Sequence, residues 1–272
     1  MIKLPYALQL VGQTDVGRAR TNNEDAFTLA PASGLAVLAD GMGGYNAGEV
    51  ASQMLTGFLH DELGRWLAEA EGAPPAAVQQ AMAICVDNAN RAVFEAAQDN
   101  PRYAGMGTTL VLAVFRPEGV WIGHVGDSRA YRLRGGRLEQ ISRDHSLLQE
   151  QLDAGLITPE QAQFALHKNL VTRAVGVEPQ VELESHLHPV QDGDLLLLCS
   201  DGLSDMLRDD ELQSLCQAHA QKTDGLQTLT EALIAAANDR GGRDNITAVL
   251  AGVGGRASAA APNRPWWSLG RR

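Results

Sequence analysis

Short apolar runs that break into acids and glycines dominate the pattern of this chain. Residues 35–39 are small and apolar and lead straight into Asp40-Gly41-Met42-Gly43-Gly44. Residues 195–199 do the same and lead into Ser200-Asp201-Gly202. Each reads as a buried strand whose end delivers a carboxylate into a turn too tight for most side chains. One such end, taken alone, is also what a plain Asp-Gly turn looks like. Two of them suggest one shared site.

Residues 6–12 alternate loosely as a first strand, and 26–29 with 35–39 pair around the turn 31–34. Segments 47–67 and 76–98, rich in Ala, Leu and Glu/Gln, carry apolar residues at helical spacing and are broken by Gly72 and Pro74-Pro75, which predicts an antiparallel helix pair. Residues 108–115, 119–125, 128–133 and 138–141 are short and β-rich, and read as an antiparallel meander. His124-Val125-Gly126-Asp127-Ser128-Arg129 interrupts it, as a tight hairpin turn or as a third acid brought to the same end of the sheet. Residues 143–179 lack strand character, with short helices expected from Leu147 and from Thr158-Pro159, and have the size of a lid or recognition flap. Strands return at 181–187 and 195–199, helices at 209–220 and 224–239, and a last strand at 246–251. The segment 256–272 has neither period nor core and reads as a disordered tail, so one domain over 1–255 is expected.

Composition narrows this. The 272 residues are 44% apolar, enough for a large core, and the formal net charge of -11 argues against nucleic-acid or anionic-membrane surfaces. No run approaches membrane-spanning length. Cys85, Cys199 and Cys216 are widely separated and read as core thiols of a reducing, cytoplasmic compartment.

Glu24, Asp25, Asp40, Asp127, Asp201 and Asp244 each sit at a break beside β structure. Oxygen ligands without His or Cys at ligand spacing favour hard divalent cations such as Mg2+ or Mn2+. Arg20, in the polar loop before Glu24, could grip a phosphate through its planar fork or could form a surface ion pair with Glu24.

Arg20-x-x-Asn23-Glu24-Asp25, Asp40-Gly41-Met42-Gly43-Gly44, Gly107-Thr108-Thr109, Gly126-Asp127-Ser128-Arg129, Ser200-Asp201-Gly202 and Asp244-Asn245 occur in the order seen in metal-dependent protein phosphatases of the 2C type. Over residues 10–252 the chain resembles that family, in its bacterial form. The resemblance implies an α+β fold: a central antiparallel β-sandwich flanked by helix pairs, in α-β-β-α layers, with metals in a cleft at one end. It implies Asp40 bridging two Mn2+ or Mg2+ ions, the Gly41 carbonyl ligating one, and Asp201 and Asp244 completing the other. Glu24 and Asp25 would act largely through metal-bound water, Asp127 with Asp201 would hold a weaker third ion, and Arg20 would bind the substrate phosphate. The implied reaction is hydrolysis of phosphoserine and phosphothreonine in proteins by metal-activated water, opposing a bacterial Ser/Thr protein kinase, in a monomer.

Two departures matter. Met42 and Tyr45 stand where animal and many bacterial relatives, respectively, carry His, so proton donation to the leaving group falls by default to metal-bound water. A catalytically silent binding module of the same fold is the alternative, and a two-metal nuclease would also cluster acids. The intact acid set disfavours the former, and the acidic balance the latter.

Overall fold

A computed structural model of the chain describes residues 2–44, 47–162, 170–219 and 225–254, and the side chains of residues 159 and 160 are not described. Tyr45, part of the flap and the whole expected tail therefore lie outside the described residues.

Two antiparallel sheets face each other. One runs in the order β1 (Ala7–Asp15), β11 (Ile246–Gly254), β10 (Leu195–Cys199), β7 (Arg129–Arg134) and β8 (Arg137–Gln140). The other runs β2 (Asp25–Ala30), β3 (Leu35–Met42), β5 (Leu110–Arg116), β6 (Gly119–Val125) and β9 (Glu184–His188), with the two-residue β4 (Gly107–Thr108) added to the end of β3.

Period-two alternation sorts the side chains into three apolar layers. Along β3, Leu35, Val37 and Ala39 pack outward under helices, whereas Ala36 and Leu38 point between the sheets. Along β10, Leu195, Leu197 and Cys199 face helices and Leu196 and Leu198 face the opposing sheet. The helices α1 (Ala47–Phe58) and α3 (Pro75–Asp99) cover the second sheet. A π-helical turn at Leu59–Leu63 continues α1 into α2 (Gly64–Glu69), keeping Leu55, Leu59, Leu63 and Leu67 on the buried face. On the first sheet lie α6 (Asp201–Ser204), α7 (Asp209–His219) and α8 (Gly225–Asp239). The layering is the expected α-β-β-α sandwich.

The expected meander does not form. β5 with β6 and β7 with β8 are hairpins, but β6 and β7 belong to different sheets. The chain crosses between them at Gly126, whose φ of +101° and tight contact with Thr109 admit no side chain. Arg129 then fixes the new direction through three hydrogen bonds to the Asp144 carboxylate, at 2.7–3.0 Å.

The flap leaves and returns close to this crossing. It carries α4 (Leu147–Asp153), capped by Ser146, and α5 (Pro159–Ala162). Bridges between Ser146 and Val171 and between Thr108 and Val175 close its base. Asn90 of α3 also pins the return, its side chain bonding the Gly176 N–H and the Glu178 carbonyl at 2.7 and 3.0 Å.

Candidate active site

The layer between the sheets turns polar at one end. Continuing the inward-facing parity of each strand past its last apolar residue gives Asp25 in β2, Asp40 in β3, Thr14 in β1, Thr247 in β11 and Ser200 after β10. Asp25 lies directly across from Asp40 in the ladder. The Ser200 and Thr247 hydroxyls both donate to Asp25 Oδ2, at 2.8 and 2.6 Å, and Thr247 is itself 2.7 Å from the Thr14 hydroxyl. The other oxygen of Asp25, Oδ1, is buried with no hydrogen-bond partner.

Asp40 is held through its backbone. Its N–H donates to the Thr109 hydroxyl at 3.0 Å, and its carbonyl accepts from the Thr109 N–H and the Thr108 hydroxyl at 2.8 and 2.9 Å. Next to it, a Cβ on Gly41 would collide with the carbonyl oxygens of Gly48 and Glu24. Only glycine allows α1 to start so close to this strand.

The polar loop reaches the far end of the chain through main-chain contacts. The N–H groups of Arg18 and Ala19 donate to the Gly242 carbonyl. Asn245 clamps the same loop: its Nδ2 donates to the carbonyls of Val16 and Asn22 at 3.0 and 2.9 Å, and its Oδ1 accepts from the Glu24 N–H at 2.8 Å. The Glu24 carbonyl takes the Ser52 hydroxyl and the Gly41 N–H. Arg20 and Asp244, 224 residues apart, thereby meet at 2.8 Å. The Arg20–Glu24 ion pair, one of two readings open from the sequence, gives way to this one: Arg20 bonds Asp244 while Glu24 acts on it from nearby.

Electrostatics record how closely the acids crowd. Burial first, then the charges of Asp25, Asp201, Asp127 and Asp244, push the Asp40 carboxyl well above the usual range. Asp201 is raised by burial and then by Asp127, Asp205 and Asp244. Asp25 is raised by burial, against the pull of its two hydroxyl donors. Burial and Asp144 push Asp127 up to about 6. On the rim, burial raises Glu24 although Arg20 opposes it. Asp40 and Asp201 nonetheless keep some exposure, so the acids line an open cleft rather than a sealed core.

This arrangement fits hard divalent cations. The donors are all oxygens, several carboxylates repel one another, and one buried carboxylate oxygen lacks any partner. Met42, at the end of β3, is partly exposed beside them and has no proton to give.

The protein phosphatase 2C family profile matches residues 14–251. The chain belongs to the protein phosphatase 2C family. It is 37% identical over 241 residues to the serine/threonine phosphatase stp of Listeria monocytogenes, covering 88% of this chain and 93% of that protein. Among solved structures, Staphylococcus aureus Stp1, a serine/threonine phosphatase, superposes with a TM-score of 0.82 at 33% identity, covering 94% of this chain and 98% of that one. The catalytic domain of the serine/threonine protein phosphatase PstP, solved with two manganese ions, gives a TM-score of 0.79 at 35% identity over 92% and 99% of the two chains.

Within this phosphatase 2C frame, the structure gathers Asp25, Asp40, Asp127, Asp201 and Asp244 into one cluster, with Gly41 beside it and Glu24 and Arg20 at its rim. Sequence reasoning did not assign roles to Ser200, Thr247, Thr109 and Asn245, the residues that hold the acids in place. Thr109, Ser200 and Asn245 sit inside the quoted motifs, and the three hydroxyl residues share one further signal, parity: they continue the inward face of an apolar strand.

Proposed function

We propose that this chain is a metal-dependent protein phosphatase that hydrolyses phosphoserine and phosphothreonine in protein substrates. The observation that carries the reading is the cleft in which six carboxylates from five separate breaks in the chain converge beside a half-exposed arginine. Every expected acid is present, which counts against a silent binding module.

Asp40, Asp201, Asp244 and the Gly41 carbonyl would hold two core cations, Mn2+ or Mg2+, with Glu24 and Asp25 supporting them and Asp127 with Asp201 holding a weaker third. Bound there, such ions would activate a water and neutralise charge on the phosphoryl oxygens. Asp25, fixed by two hydroxyls, orients what lies between the sheets, and the Asp40 backbone is fixed before any ligand arrives. Arg20 spends one N–H on Asp244 and presents its remaining donors to an incoming phosphate. Its loop is anchored at both ends, so the fork is positioned in advance. No side chain at position 42 can protonate the leaving alkoxide, so that proton comes from water. We infer that the flap, its base closed by two bridges, meets the protein flanking the phosphorylated residue.

The natural opponent we propose is a Ser/Thr protein kinase; we infer a cytoplasmic location from the three unpaired thiols and propose that the protein acts as a monomer. Among the described residues no helix is long and apolar enough to cross a membrane.

Steady-state kinetics with Mn2+ test the phosphate grip. Arg20→Ala should raise KM for a phosphothreonine peptide about ten- to hundredfold, the worth of a charged hydrogen-bonded contact, with a smaller change in Mn2+ affinity. An unchanged KM would remove Arg20 from the site. Cleavage of plasmid DNA in place of the peptide would favour a nuclease.

A further inference from the structure

A second cluster of ligating side chains lies outside the carboxylate cleft. His124 of β6, His145 at the root of the flap and Glu184 at the start of β9 each offer one ligand atom within 4.8 Å of the others. Both histidines are buried, 1% and 7% exposed, whereas Glu184 is partly open to solvent on the edge strand of its sheet.

The hydrogen bonds fix where the ring protons sit. His124 Nε2 lies 2.7 Å from the Arg143 carbonyl and 3.3 Å from the Arg143 N–H, and the shorter contact makes it the donor and leaves the lone pair on Nδ1. That Nδ1 is buried with no hydrogen-bond partner. Burial and the neighbouring His145 keep His124 below the usual imidazole range, so the lone pair is not lost to a proton. His145 Nδ1 accepts from the Gly126 N–H at 3.2 Å, so Nε2 carries the proton and donates to Glu184 Oε2, also at 3.2 Å. The second Glu184 oxygen meets His186 at 3.1 Å. The two buried rings stack with centroids 4.8 Å apart.

A buried, partnerless imidazole nitrogen beside a second imidazole and a carboxylate is costly unless something accepts its lone pair. We propose that His124, His145 and Glu184 form a separate site for a borderline transition-metal cation of the Zn2+ class. Two imidazoles, one carboxylate and an open fourth position make a zinc-type donor set, unlike the oxygen-only cleft. Metal–ligand bonds of about 2.0–2.2 Å place tetrahedral ligand atoms about 3.4 Å apart. The His145–Glu184 pair already has that spacing. Binding would move the His145 proton from Nε2 to Nδ1, releasing the Gly126 N–H as the stacked rings tilt, and would draw His124 Nδ1 closer, with Glu184 on its edge strand free to follow.

The position gives the site a regulatory character. The His145 N–H donates to the Gly126 carbonyl, and the His145 carbonyl accepts the Thr172 N–H where the flap returns. A cation here would grip the flap root where it bonds Gly126, the residue before Asp127.

Co2+ titration of the full chain in saturating Mg2+ tests the proposal through visible absorption, since a tetrahedral nitrogen-containing site absorbs far more strongly than an oxygen-only octahedral one. The expected result is a strong band that saturates at one equivalent, disappears on adding Zn2+, persists in Asp201→Asn, and needs at least tenfold more Co2+ in Glu184→Gln with an unchanged circular dichroism spectrum. Absence of the strong band, its loss in Asp201→Asn, or undiminished affinity in Glu184→Gln would overturn the proposal. Histidine 15N resonances of the unmutated chain provide a readout free of folding effects. Zn2+ should shift the ring nitrogens of His124 and His145, and unmoved resonances would equally overturn it.

Discussion

Ser200 shows how the site depends on residues with no chemistry of their own. Its hydroxyl donates to Asp25 and accepts the Thr247 N–H at 3.0 Å, all without solvent. In Ser200→Ala, the Thr247 N–H is left buried and unpaired, at a cost of about 1–3 kcal/mol. Asp25 also loses one of its two orienting donors, and Mn2+ affinity should fall about 10- to 100-fold, as for other residues that support a metal ligand. Urea unfolding and calorimetric Mn2+ titration read the two effects, and intact Mn2+ affinity would separate Asp25 from the metal site. The acids themselves were legible in the sequence because each breaks an apolar run. Ser200, Thr247 and Asn245 were not, because a hydroxyl or amide after a strand is equally at home in any turn. Their role follows from partners up to 229 residues away, such as Val16 for Asn245.

At the scale of elements, strands and helices were legible because their periods are local. Residues 195–199 read as doubly buried from their unbroken apolar run, and they are. The assignment of strands to sheets was hidden. Two adjacent β-rich runs joined by a short Gly/Asp turn look like a hairpin, and nothing local says that the chain changes sheets at Gly126. The short helix α6 was also missed, since four residues leave no period to read. The crossing depends on Arg129, whose bond to Asp144 lies beneath the flap base with Asp144 only 10% exposed. Arg129→Ala would strand a buried carboxylate next to Asp127. It should cost about 3 kcal/mol in urea unfolding, the scale expected for breaking one side of a buried ion pair. A loss under about 0.5 kcal/mol, typical of a surface change, would show that the crossing is held by Gly126 and its neighbours instead.

For the molecule as a whole, the sandwich ends its inner core in acids, and this couples stability to pH and to cations. Asp127 ionises near 3.8 when unfolded but near 6 when folded. Between those values the folded metal-free chain binds more protons than the unfolded one, so stability is greatest below the window and falls as pH rises through it. Asp25, Asp40 and Asp201 shift in the same direction. Cations that bind the ionised carboxylates stabilise the folded state by mass action, and more so as protons leave. The rise in Tm produced by saturating Mn2+ should therefore grow from pH 4 to pH 7. A rise independent of pH would place the Mn2+ away from these acids.

The central claim is that these carboxylates form a metal-dependent phosphatase site, and phosphate release tests it most directly. A phosphothreonine peptide would be incubated with the chain in Mn2+, in Mg2+ and in EDTA, beside an Asp201→Ala control with intact circular dichroism. Release in either metal, abolished by EDTA and reduced by at least about a hundredfold in the control, is the expected result. Release that survives EDTA or the loss of Asp201, or no release from a folded chain that binds Mn2+, would contradict the account.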